Sequence, residues 1–147
     1  VHEELYRSGA LAHIDFLHYA RNLGETPRFV LAQDRGVALE VDGDEADLPI
    51  DAAVPCGLIL NELLTNALKH AFPDGRNGRV RAGIAVQGGE MVLSVEDDGV
   101  GLPEELDPAR AESLGMQIVI GLCEQLRGRL DIRRAPGTRV SVTFPLP

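Results

Sequence analysis

Polar side chains at helical spacing in residues 61–72 could hold a metal ion and phosphate groups. Glu62, Asn66 and Lys69 fall at i, i+4 and i+7, and His70 follows Asn66 by four residues. Residues at this spacing share one side of a helix, so the four groups would face the same way. A carboxylate, an amide oxygen, an ammonium group and an imidazole could together bind Mg²⁺ and phosphate oxygens. The alternative interpretation is a solvated helix face, and composition alone favours it.

A second candidate group is the acidic, glycine-containing turn that begins at Asp97 and includes Gly99 and Gly101. Alternate residues of a strand share a face, so Asp97 continues the apolar face of the strand before it. A carboxylate in that position needs a partner to offset its desolvation, and the amino group of a ligand is one such partner. The two glycines would let the backbone approach a ligand closely. Asp-Gly pairs also mark ordinary turns, which is the alternative here.

Two shorter motifs follow in the chain. Leu114-Gly115-Met116 comes after Ser113 and opens an apolar run, so its free backbone N–H groups could bind an anion at a helix start. A simple capped helix start, with Ser113 as the cap, is the alternative. Gly137-Thr138 leads into the last apolar run and by itself indicates only a turn.

Hydrophobic periodicity predicts the elements that must position these groups. The predicted helices span residues 1–8 (the end of a helix), 11–23, 27–34, 51–72 with Asp51 as cap, and 114–127 with Gly128 as the stop. The predicted strands span residues 37–41, 80–86, 91–97, 130–133 and 139–144, with a Gly88-Gly89 hairpin turn and a long loop over 98–112. Consecutive hairpins argue against a doubly wound parallel sheet. We therefore predict an α/β fold of the α+β sandwich type, with a mixed, mostly antiparallel sheet of about five strands covered by helices on one face.

Composition narrows the class of function. The 147 residues carry a formal net charge of −9 and a single lysine, which argues against nucleic acid or an anionic membrane as partner. The two cysteines, Cys56 and Cys123, lie in apolar stretches and are predicted to be buried free thiols. We see neither a signal peptide nor an apolar run of roughly 18 residues, so we expect no membrane segment and a cytoplasmic location. The first residue is Val1, and we expect the chain to be a fragment of a longer protein.

In this order and spacing, the four motifs resemble those of the ATP-binding catalytic domain of sensor histidine kinases. That domain belongs to the superfamily that includes DNA gyrase, heat-shock chaperone and mismatch-repair ATPases. NELLTNALKHAF (residues 61–72) resembles the N box, Asp97-x-Gly99-x-Gly101 the first glycine box, Leu114-Gly115-Met116 the second and Gly137-Thr138 the third. The resemblance spans residues 56–147 and implies a Bergerat-type ATP-binding fold. Ser113 departs from the pattern, because many kinases have glycine there.

The sequence of the N box also resembles that of one sub-branch, the second histidine-kinase dimerisation-domain family. The resemblance implies a division of the chain into residues 1–24, the tail of the dimerisation helices with a connecting helix, and residues 25–147, the ATP-binding catalytic domain. The phosphoacceptor histidine of such a kinase is then expected upstream of this chain.

The resemblance implies roles for individual residues, with ATP and Mg²⁺ as cofactors. Asn66 would bind Mg²⁺, Lys69 and His70 would contact the phosphates and ribose, and Glu62 would act as a general base or orient the acceptor. Asp97 would accept a hydrogen bond from the adenine amino group, and Thr138 would support the adenine side. The remaining residues expected at the nucleotide are Gly99, Gly101, Leu114, Gly115 and Met116.

The resemblance implies transfer of the γ-phosphoryl group of ATP to a histidine of a dimerisation domain. An aspartate of a response regulator receiver domain would then take the phosphoryl group, and the parent protein would be a homodimer. Two alternatives stay open at this stage. The chain could be a nucleotide-binding regulatory module without kinase activity, or an ATPase that uses Glu62 as the base for water.

Overall fold

The computed structural model describes residues 12–70, 72, 77–100, 114–134 and 136–147. For His70 it describes the backbone only. Its helices are α1 (Phe16–Asn22), α2 (Pro27–Asp34), α3 (Ile50–His70) and α4 (Leu114–Gln125), with a 3₁₀ turn at Leu23–Glu25. Its strands are β1 (His13–Asp15), β2 (Val37–Gly43), β3 (Asp47–Pro49), β4 (Gly78–Gln87), β5 (Glu90–Asp97), β6 (Arg129–Arg133) and β7 (Thr138–Pro145).

The main sheet has five strands in the order β2-β4-β5-β7-β6. The β2–β4 pair is parallel, and the other three pairs are antiparallel. Gly88 and Gly89 form the β4–β5 turn with φ of 56° and 78°, the left-handed geometry that two-residue hairpins require. The predicted mixed, mostly antiparallel sheet of about five strands is confirmed.

The two faces of the sheet differ in chemistry, because strand residues alternate between them. One face is apolar and packs against the helices in the core. The other carries charge pairs. Glu40 binds Arg79 and Arg81 at 3.3 and 3.4 Å, and Glu96 lies 3.8 Å from Arg139. Helices therefore cover one face of the sheet, as predicted.

Helix α3 is the central helix of that layer. Its apolar side, which includes Ile59, Leu60, Leu63 and Leu64, is buried. The helix begins at Ile50, so Asp51 lies in the first turn rather than at the predicted cap position. A carboxylate there still interacts favourably with the positive end of the helix dipole.

The N-terminal part of the described chain differs from the prediction of one helix over residues 11–23. His13–Asp15 forms a strand that pairs antiparallel with Asp47–Pro49, and a side-chain oxygen of Asp15 accepts the backbone N–H of His18 at 3.1 Å. This bond caps α1, because Asp at a helix N-terminus satisfies a donor that the helix leaves unpaired. Local periodicity could not show the strand, because its partner is more than 30 residues away.

Residues on both sides of position 24 contribute to one hydrophobic core. Phe16 and Ala20 of α1 are fully buried and belong to the same cluster as Leu64 of α3 and Leu93 of β5. The division into residues 1–24 and 25–147 stays a prediction. The helix end predicted over residues 1–8 and most of the loop predicted over 98–112 lie outside the described residues.

Helix α4 ends at Gln125, two residues earlier than predicted. Arg127 takes the left-handed conformation with φ of 58°, and the Gly128 N–H donates to the Cys123 carbonyl at 2.9 Å. Such a bond closes a helix C-terminus by satisfying one of its free carbonyls.

Both cysteines are buried and free, as predicted. Burial raises the pKa of the Cys56 thiol to about 12 and also raises that of Cys123. Neither thiol is therefore activated for chemistry. Among the helices of the described residues, none combines the length and the apolar character that crossing a membrane requires.

Candidate functional site

Helix α3 presents the predicted polar face on its C-terminal half. Glu62 and Asn66 are half-buried, whereas Lys69 is exposed. The backbone of His70 forms the last residue of the helix. Half-burial of Glu62 and Asn66 indicates that another element covers this face.

The first turn of α4 provides that cover. Asn66 donates from Nδ2 to the sulfur of Met116 at 3.1 Å, across 50 residues of sequence. A Cβ atom at Gly115 would lie 2.5 Å from Oε2 of Glu62, so only glycine fits beside this carboxylate without displacing it. The structure thus brings the second glycine motif against the polar face of α3. With its amide nitrogen on the sulfur, Asn66 has its Oδ1 left as an acceptor among the described residues.

Asp97 lies at the end of β5, which packs against α3. Its residue is only 7 % exposed, and Oδ1 accepts the backbone N–H of Gly99 at 3.0 Å. Burial raises the pKa of Asp97, while backbone hydrogen bonds from Gly99 and Thr138 partly oppose that effect. A carboxylate has about four acceptor positions, so Asp97 retains capacity for an amino group of a ligand.

The third glycine motif packs directly behind Asp97. Thr138 is opposite Asp97 in the β5–β7 register and is 8 % exposed. A Cβ atom at Gly137 would meet the Asp97 carbonyl oxygen at 1.9 Å, which real contacts do not allow. Gly137 is therefore required for β7 to approach the end of β5.

The neighbouring Asp98 has a structural role. Its Oδ1 accepts the backbone N–H of Arg79 at 2.7 Å, and its own N–H donates to the Arg79 carbonyl at 3.2 Å. These bonds hold the turn to β4. Alternation already distinguished the two acids, since only Asp97 continues the apolar face.

The other predicted site residues differ in their exposure to solvent. Gly99 is buried next to Asp97, whereas Leu114 is 73 % exposed at the start of α4. Gly101 and Ser113 lie outside the described residues.

A preformed cage of three or more His, Cys, Asp or Glu side chains does not occur in the described part of the chain. A divalent cation would therefore depend on a few protein ligands together with oxygens of its substrate. Mg²⁺ is commonly bound in that way, through one or two side chains plus phosphates and water. The amide oxygen of Asn66 is a suitable hard donor, and so the residues present fit Mg²⁺.

One contact beside the polar face was missed by the sequence analysis. Arg28, in the first turn of α2, donates from Nη1 to Oγ1 of Thr65 on α3 at 2.8 Å. The two residues are 37 positions apart, and no local pattern indicates the pairing.

Comparison with known proteins identifies the family. The family model for histidine kinase-, DNA gyrase B- and HSP90-like ATPases matches residues 52–147. A blue-light-activated histidine kinase of Erythrobacter litoralis is 39 % identical over 112 residues, which cover 75 % of this chain and 32 % of that protein. The sensor histidine kinase PdtaS of Mycobacterium tuberculosis is 34 % identical over 121 residues, which cover 80 % of this chain and 24 % of that protein. The chain thus spans about a third or less of the length of these relatives.

Solved structures agree with this assignment. The histidine kinase domain of the Erythrobacter litoralis EL346 blue-light activated histidine kinase superposes with a TM-score of 0.80 at 33 % identity, covering 90 % of this chain and 62 % of that one. The Acinetobacter baumannii histidine kinase AdeS gives a TM-score of 0.75 at 18 % identity, covering 91 % and 66 %, and shows likeness of fold. With most of its residues matched by the family model, the chain belongs to the histidine kinase-, DNA gyrase B- and HSP90-like ATPase family, and this membership implies a nucleotide ligand.

Proposed function

We propose that this chain is the ATP-binding catalytic domain of a sensor histidine kinase, which transfers the γ-phosphoryl group of ATP to a histidine of a dimerisation domain. The observation that carries the proposal is that the first turn of α4 lies on the polar face of α3: Asn66 donates to Met116, and Glu62 lies where a Cβ at Gly115 would be. It joins two separate motifs into one polar site in a chain whose relatives include sensor histidine kinases.

Each end of the nucleotide has its own group of residues in this proposal. Asp97 accepts a hydrogen bond from the adenine amino group, with Gly99 and Thr138 behind it. Asn66 presents Oδ1 to Mg²⁺, while Lys69 and His70 contact the phosphates and ribose. Mg²⁺, when bound, neutralises charge on the phosphate oxygens.

Positioning is the main contribution of the protein to such a reaction, because phosphoryl transfer depends on alignment and electrostatic stabilisation. Glu62 would orient the acceptor imidazole or accept its proton. The lack of a side chain at Gly115 supports this role, because it leaves room for the Glu62 carboxylate at the polar site.

The partners follow from the same proposal. The acceptor histidine belongs to a dimerisation segment of the second histidine-kinase dimerisation-domain family, in a homodimeric parent protein, and a receiver-domain aspartate takes the phosphoryl group next. The site uses cellular ATP, so we propose a cytoplasmic location.

Transfer to a separate acceptor tests the proposal. The chain is mixed with Mg-ATP and a dimerisation segment that carries the acceptor histidine, and acid-labile phosphate on that segment is measured. Tight ATP binding without transfer would favour a regulatory module instead. Release of inorganic phosphate that depends on Glu62, again without transfer, would favour an ATPase.

The role of Asn66 has its own test. In Asn66→Ala we expect ATP affinity to fall about tenfold in the presence of Mg²⁺, the effect of one hydrogen bond or ligand bond to a charged group. Affinity for ATP in excess EDTA should change little. Gln125→Ala, which removes an exposed amide side chain at the C-terminal end of α4, is the matched control. Equal losses with and without Mg²⁺ would rule out a metal-ligand role.

A further inference from the structure

Arg28 occupies the edge of the polar face of α3. Its guanidinium is held by the hydroxyl of Thr65 at 2.8 Å. Thr65 follows Glu62 by three residues and precedes Lys69 by four, and both spacings make helix neighbours with Cβ atoms roughly 5–6 Å apart. The Arg28 guanidinium is thus brought beside the face that carries Glu62, Asn66 and Lys69.

The charge of Arg28 is not neutralised within the described residues. Ion pairs there engage Arg79, Arg81, Arg129 and Arg139, and none involves Arg28. The hydrogen bond to Thr65 uses one of the five N–H groups of the guanidinium. Lys69 likewise forms no ion pair in the described part of the chain. Within the described residues, Arg28 of α2 and Lys69 of α3 are thus two cations without an ion pair, in a chain whose net charge is −9.

The geometry of guanidinium favours a phosphate ligand. Its planar fork of donors binds two oxygens of one phosphate at once, whereas an ammonium group such as Lys69 acts as a point charge. A hydroxyl that holds one donor in place leaves the remaining donors oriented, which lowers the entropy lost when a ligand binds. Thr65 therefore serves to position Arg28.

We propose that Arg28 is a second cation for the terminal phosphate of the bound nucleotide, acting together with Lys69. This inference rests on the proposed nucleotide site and adds a group from outside the four motifs. It predicts selectivity for nucleotides with a longer phosphate chain, and that selectivity should depend on Arg28.

A nucleotide series tests the inference. Dissociation constants for ATP, ADP and AMP are measured by calorimetry in the presence of Mg²⁺ for the wild-type chain and for Arg28→Gln. We expect ATP to bind about tenfold more weakly to the variant, ADP to be affected less, and AMP to be unaffected. Arg28→Lys keeps the charge without the fork and should lose less than Arg28→Gln.

Two further variants test whether the effect on ATP affinity is specific to Arg28 or follows from any loss of positive charge. Arg21→Gln removes the same charge from the exposed end of α1 and should leave all three affinities unchanged. Thr65→Val removes the hydroxyl at similar volume and should weaken ATP by only about two- to threefold, because the charge remains. A larger loss in Thr65→Val than in Arg28→Gln would overturn the assignment of Arg28 as the phosphate ligand.

The outcomes distinguish this inference from the proposed function. ATP binding by the wild-type chain that is unchanged in Arg28→Gln would overturn the inference alone. Equal losses for ATP and AMP would do the same, since the effect would then not depend on the phosphates. Failure of the wild-type chain to bind any of the three nucleotides would overturn the proposed function and the inference together.

Discussion

Replacing Asp97 by Asn removes the charge of a buried carboxylate and keeps an acceptor oxygen for the Gly99 N–H. In the wild-type chain Asp97 is 7 % exposed as a residue, and the pKa of its carboxyl group is raised mainly by burial. If its charge serves to bind the adenine amino group, the variant should lose nucleotide affinity without losing stability.

The magnitude follows from the kind of hydrogen bond. A bond to a charged group contributes about 1.5–3 kcal/mol and a neutral one about 0.5–1.5 kcal/mol. The difference of roughly 1–1.5 kcal/mol corresponds to about five- to tenfold weaker ATP binding in Asp97→Asn. Asp97→Ala should lose the whole bond, roughly 10- to 150-fold, and leave the Gly99 N–H without its partner.

The stability of the nucleotide-free chain should move in the opposite direction. Because the folded-state pKa of Asp97 is raised above 3.8, the folded chain binds a proton more tightly than the unfolded chain does. The contribution of this group to stability is therefore full below pH 3.8 and is lost as the pH rises through the raised pKa. At neutral pH the ionised carboxylate disfavours folding, so Asp97→Asn should unfold at an equal or higher temperature.

Titration calorimetry measures the change in ATP affinity, and thermal unfolding of the same samples measures the change in stability. ATP affinity of the wild-type chain should fall as the pH is lowered through the raised pKa of Asp97, relative to Asp97→Asn under the same conditions. The preference for ATP over GTP should also narrow in the variant, because the negative charge that repels the guanine carbonyl is removed. Glu96→Gln removes the charge of the adjacent exposed residue and is the matched control.

Two results would refute this reasoning. Unchanged ATP affinity in Asp97→Asn would mean that the carboxylate does not bind adenine. A marked loss of stability without nucleotide would mean that Asp97 is a structural residue whose charge the fold requires.

Two further predictions concern glycines at the site. Gly137→Ala should lower the free energy of unfolding, measured by urea denaturation, by about 1–3 kcal/mol, because its Cβ would meet the Asp97 carbonyl oxygen. Gly121→Ala on α4 is the control and should be neutral or stabilising, because the space at its Cβ is open. Equal stabilities of the two variants would contradict the packing argument. Gly115→Ala should displace the Glu62 carboxylate and lower phosphoryl transfer to an acceptor segment more than it lowers ATP affinity. A larger loss of ATP affinity than of transfer would argue against a role of Glu62 in transfer.

The strands of the main sheet could be predicted from the sequence because each has a strong local signal. Alternation marked β4 and β5, and the Gly88-Gly89 pair marked their turn. The errors were of a different kind. The strand His13–Asp15 has little local signal, since its stability depends on pairing with Asp47–Pro49.

For the site, the residue types and their order along the chain were enough to identify a family and to separate Asp97 from Asp98. Those features depend on helical and strand periodicity, which a sequence contains. The contacts of Asn66 with Met116 and of Arg28 with Thr65 were decided by the tertiary structure. Both join residues from different elements, and their distances depend on how helices pack over a shared core, which no local pattern specifies.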